Sequence, residues 1–141
     1  MKRFSDWEER LSLYIDRVFD EPFCWGEHDC ALFAAGAVKA MTGVDMAADF
    51  RGRYGSRREA AQALRTAGYK TLHGAARHWL GKPKHPALAH RGDIVMRRQA
   101  LGVCFGRGAW FVGSILGRSG LFDAPLNDCR AAWSVPFVGD A

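Results

Sequence analysis

The run Cys30–Thr42, CALFAAGAVKAMT, constrains this chain more than any other stretch. It is apolar almost all the way round a helix, and many of its side chains are no larger than a methyl group. Such a helix lets neighbours approach closely and belongs at the centre of a core. Asp29 stands before it as an N-cap, and Gly43 follows as a C-terminal stop. The rest of the chain must supply the elements that surround it.

The first of these is helical. Trp7, Leu11, Tyr14, Ile15 and Val18 recur at helical spacing behind Ser5 and Glu8, which have the spacing of a capping box. Together they predict a helix over residues 5–19. Pro22 and Gly26 then interrupt the chain. After the central helix, residues 45–56 read as a polar, glycine-bearing connection. Ser56 and Glu59 form a second capping box, opening a short helix that Gly68 ends. Residues 71–81 predict another short helical piece. Residues 82–93, with Pro83 and Pro86, read as an exposed loop closed by the turn Arg91-Gly92-Asp93.

Beyond that turn the texture changes. Residues 94–98, 101–106, 109–115, 120–126 and 131–137 are short, rich in β-formers and separated by glycines. Helices followed by a run of strands predict an α+β fold, with N-terminal helices packed on an antiparallel sheet of about four to six strands. At 141 residues the chain is expected to form one domain over residues 1–141.

Composition removes several classes of function. Charged residues make up 25% and apolar residues 48%, the balance of an ordinary globule. No apolar run reaches membrane-spanning length, and the opening MKRFSDWEER lacks the apolar stretch of a signal peptide, so synthesis in a cytoplasm is expected. The net charge of +5 is spread along the chain without a dense block or a base-stacking motif, so no nucleic-acid partner is expected. Cys24, Cys30, Cys104 and Cys129 form no C-x-x-C pair. They read as free thiols, with no metal site and no cofactor; Cys104 and Cys129 read as packing residues.

Cys30 carries the chemical signal. At a helix N-terminus, unpaired N–H groups and the helix dipole favour an anion, which lowers a thiol pKa and supplies a thiolate nucleophile. Such a nucleophile needs a base, normally an imidazole. The bland reading is a small buried residue at a helix start. Trp25 reads as a groove-lining or core aromatic, and Asp29 as a cap. Arg51, Arg53 and Tyr54 read as an anion or partner contact, or as surface loop. Trp110 and Phe111 are neighbours on a strand and face opposite sides. One of them would then meet solvent or a partner.

The order of these parts resembles the NlpC/P60 branch of the papain-like cysteine peptidases. Asp29-Cys30-Ala31-Leu32-Phe33 stands where that family has a DCSGF-like nucleophile motif at a helix start, and Gly92-Asp93 matches its turn before a sheet strand. Over nearly its full length the chain resembles small phage-encoded relatives found among tail-assembly genes. The features carrying this are Pro22-Phe23-Cys24-Trp25-Gly26-Glu27-His28-Asp29-Cys30, Thr42-Gly43-Val44-Asp45 and Phe50-Arg51-Gly52-Arg53-Tyr54-Gly55-Ser56.

The family's histidine lies on an HVGIYIG-like strand. Here that strand is Ala100-Leu101-Gly102-Val103-Cys104-Phe105-Gly106, and Ala100 takes the histidine's place. Gly113 or Ser114 stands near the place of the orienting residue. Without its base Cys30 would keep little activity, since general-base help is worth roughly 10²–10⁴-fold. His28, on the entry loop, is the candidate substitute, with His85 and His90 behind it. His73 and His78 read as packed or solvated helix residues.

The resemblance implies a catalytically degenerate papain-like fold, a structural or assembly component of a phage or prophage tail tip. Its partners would be other tail-tip or baseplate proteins. It would be made in a host cytoplasm and end in the virion tail. The alternative is an active cysteine peptidase that cleaves peptidoglycan peptides during entry, with Cys30 as nucleophile and a displaced histidine as base.

Overall fold

In the computed structural model, which describes residues 1–136, the central helix is α2 (Cys30–Thr42). It packs against α1 (Trp7–Val18) on one side and the sheet on the other. Phe33, Ala34, Ala37, Val38 and Met41 are all fully buried. Small residues allow this. Tyr14 lies across α2 and donates its hydroxyl to the Phe33 carbonyl at 2.8 Å, and a Cβ on Gly36 would stand 2.2 Å from that hydroxyl oxygen. Asp29 caps the helix by accepting from the Leu32 N–H at 3.0 Å. Gly43 ends it in the left-handed conformation (φ 81°), which costs glycine little.

The strands are β1 (Ile94–Arg97), β2 (Ala100–Cys104), β3 (Gly108–Ile115), β4 (Arg118–Pro125) and β5 (Ala131–Trp133). They form one antiparallel five-stranded sheet in the order β4-β3-β2-β1-β5. Side chains alternate as the period of a strand requires. Ile94, Met96, Leu101, Val103, Val112 and Trp133 face α1 and α2. Val95, Cys104, Phe111 and Ala132 face the other way, into a second apolar cluster.

Part of that second face is covered by Ala89 of the loop 82–93, together with Leu126 and Cys129; the loop is exposed at residues 82, 85, 87, 88, 90 and 91, as expected, and its remaining residues turn inward. Lys84 exchanges backbone hydrogen bonds with Ala132 on the edge strand, and Pro86 and Ala89 are buried. The loop is pinned by Asp93. Its carboxylate accepts from Arg3 Nη2 (2.9 Å), Lys84 Nζ (2.8 Å) and the His90 N–H (2.8 Å).

The helix starts divide instructively. Ser56 caps α3 (Arg57–Thr66) by accepting from the Glu59 N–H at 3.1 Å, and the Glu59 carboxylate reaches back to the Gly55 N–H at 3.0 Å. Thr71 caps α4 (Leu72–Leu80). Ser5 caps nothing. Helix α1 begins only at Trp7, behind Asp6, whose side chain makes no cap hydrogen bond. There the Phe4 N–H is held by the Met41 carbonyl at 2.7 Å, and the Trp7 N–H by the Phe4 carbonyl at 3.1 Å. Tertiary anchoring of residues 3 and 4, rather than a local cap, sets where α1 starts.

Candidate functional site

Cys30 opens α2 beside β2, at the side of a cavity of about 740 Å³. The cavity lies between α2 and the sheet on one hand and α3 and α4 on the other. It brings together Trp25, Asp29, Cys30 and Tyr54 from the sequence candidates, and Ala100 lines it too. Ala100, the first residue of β2, presents a methyl group there.

Asp29 is fully engaged. Besides the Leu32 N–H, it accepts from the Gly26 N–H at 3.0 Å and from the Tyr54 hydroxyl at 2.5 Å. Burial, reinforced by the bond to this carboxylate, pushes the Tyr54 phenol well above its ordinary range. Gly26 is required at the crossing, with φ 83° and a Cβ position only 1.9 Å from the Tyr54 carbonyl oxygen. Asp29 thus fastens the loop 50–55 to the start of α2.

Two influences oppose each other at the Cys30 thiol. Burial pushes its pKa up and outweighs the opposing Leu101 N–H, while the neighbouring Asp29 carboxylate raises it further. The helix terminus is present, but the sulfur sits where the charged form is poorly solvated.

His28 does not supply a partner. Its ring is buried edge-on to Phe33, Nδ1 lies 3.8 Å from a Glu21 carboxylate oxygen, and Nε2 makes no hydrogen bond. Among the described residues, no hydrogen bond joins an imidazole to the Cys30 sulfur. His85 caps its own turn through the Ala87 N–H, and His78 lies between Tyr69 and Trp79.

Of the five histidines, His73 alone lines the cavity, its ring 5.1 Å from that of Trp133. A sequence signal for it existed. His73 precedes Ala76 by three residues and Leu80 by seven, which places them on one helix face.

The remaining candidates lie elsewhere. Arg51 pairs with Asp45 at 2.8 Å. Trp110 is half-buried between Phe19 and Phe105, beside a small separate cavity. Phe111 is 1% exposed, in the second apolar cluster. Neither aromatic stands free for a partner: Phe111 packs against Phe122, and Trp110 against Phe19 and Phe105. Gly113 and Ser114 lie toward the far end of β3, outside the main cavity. Arg57, Lys70, Gln99 and Arg130 also line it, and sequence reasoning passed them over because four separate segments bring them there.

Residues 2–135 match the family described as a domain of unknown function, DUF6950. The chain belongs to that family. No curated protein matches it. Among the described residues, no group of His, Cys, Asp and Glu could hold a metal ion, and no helix is long and apolar enough to cross a membrane.

Proposed function

We propose that this DUF6950 chain is a papain-like domain of NlpC/P60 type that has lost its catalysis, and that it acts by binding, as a structural or assembly component of a phage or prophage tail tip. The observation that carries the loss of catalysis is the surroundings of Cys30. The thiol sits at the start of the central helix against the sheet, yet Ala100 faces the same cavity, burial pushes the thiol pKa up, and Asp29 is consumed in holding Tyr54. The tail assignment rests on the resemblance carried by residues 22–30, 42–45 and 50–56. Other tail-tip or baseplate proteins are the partners it implies, with assembly in the host cytoplasm and residence in the virion tail.

The test is deletion of the coding sequence from the phage or prophage that carries it, followed by electron microscopy of the particles. Particles with incomplete tail tips are expected. Complete, infectious particles lacking the chain would overturn the assignment.

One observation favours the hydrolase as a second reading: His73 and Cys30 line the same cavity. In that case the Cys30 thiolate would attack a peptide carbonyl, the amine would leave with a proton from His73, and water would release the thioester. Purified chain incubated with peptidoglycan stem peptides decides the matter. Turnover abolished by both Cys30→Ser and His73→Ala would establish the hydrolase; no turnover by the native chain excludes it for those substrates.

A further inference from the structure

The cavity beside Cys30 has a floor, a roof and a rim of different chemistry. Its floor is the inner face of the sheet, where the core residues Ile94, Met96 and Val112 reach it. Its roof is α3, none of whose residues is buried; Ala60, Ala61 and Leu64 of that helix line the cavity. An amphipathic helix gains its stability from covering an apolar face, and here that face has only the cavity to cover. The rim carries Arg57, Lys70 and Arg130. All of them are exposed, and among the described residues none is paired with a carboxylate. Asp29 is the only acid in the described lining, and both its oxygens are taken.

We infer that this cavity binds a long-chain fatty acid. The alkyl chain lies on the aliphatic floor under α3, and the carboxylate meets the cations of the rim. Charge complementarity selects an anion, and the apolar lining, with Leu64, Leu72 and Leu80 half-buried around it, selects an alkyl chain. A bound extended peptide would bring backbone N–H and C=O groups, which cost free energy when buried without partners. β1, at the floor, offers it none, because it is paired with β2 on one side and β5 on the other. An alkyl chain makes no such demand. The inference is independent of the tail-tip reading, and neither fails with the other.

Calorimetric titration of the delipidated full chain with decanoate, dodecanoate and tetradecanoate tests it, with dodecanol as the uncharged analogue. Affinity is expected to rise about tenfold for every two methylene groups. Dodecanol is expected to bind about tenfold more weakly than dodecanoate. The triple variant Arg57→Gln, Lys70→Gln, Arg130→Gln should lose that preference. Ala61→Trp, which fills the cavity from the roof and leaves the residues of the central helix unchanged, should abolish uptake; a circular-dichroism melt verifies that both variants are folded. Failure of the native chain to take up any of the acids would overturn the inference. So would equal binding of dodecanoate and dodecanol, or uptake unaffected by Ala61→Trp.

Discussion

At the scale of single residues, the start of α2 shows how burial can cancel a helix terminus. The N-terminal N–H groups favour a thiolate at Cys30, but desolvation acts on the same sulfur and prevails. Alkylation of Cys30 by iodoacetamide is therefore expected to be slow at pH 7, to rise about tenfold per pH unit, and to level off only above pH 9.0, the ordinary value from which this thiol is raised. Peptide mapping across pH 7 to 10 checks it; a rate already level below pH 8 would contradict it. His28 carries the opposite charge type. Burial holds its imidazole below the ordinary 6.5, so the unfolded chain takes up this proton at a higher pH than the folded chain does. Its contribution to stability is complete above pH 6.5 and is lost as the pH falls from there toward the folded value. Urea midpoints should decline over that window, and His28→Leu should flatten the decline.

At the scale of elements, local chemistry was legible wherever it decided the outcome. Asp29, Gly43 and Ser56 do what their types do at helix ends, because a cap is made within four residues of itself. Ser5 carried the same signal and failed, since Phe4 is held by Met41 from across the core. The turn between β3 and β4 shows a local rule broken. Leu116 and Gly117 both have positive φ (52° and 77°), the geometry of a tight type I′ hairpin, and Leu116 is fully exposed. A branched aliphatic side chain gains nothing there and is strained. Leu116→Asn is expected to stabilise the fold by about 1 kcal/mol, read as a higher urea midpoint with an unchanged slope. A lower midpoint would mean that the leucine makes a contact worth more than the strain.

At the scale of the whole molecule, Asp93 joins segments far apart in the chain. Its carboxylate holds Arg3 before α1, Lys84 in the covering loop and the Val135 N–H after β5. Asp93→Ala would leave the Arg3 guanidinium buried with its ion pair broken, and is expected to cost about 3–5 kcal/mol. Chemical denaturation checks this; a loss below about 1 kcal/mol would show that the neighbouring carbonyl bonds of Arg3 suffice. From sequence, Gly92-Asp93 read as a turn before a strand, which it is. Nothing local showed that the aspartate also closes the fold.

The sequence by itself determined the elements and their order: a small-residue central helix with its caps, helices before strands, and the alternation that gives each strand two apolar faces. These follow from periodicity and from chemistry within a few residues. Tertiary structure alone decided what surrounds Cys30. Whether its thiol is buried depends on β2 and the loop 46–54. Which histidine reaches the cavity depends on how α4 docks against β5. The cationic rim is assembled from Arg57, Lys70 and Arg130, far apart along the chain, and no pattern in a linear sequence records a meeting that packing alone brings about.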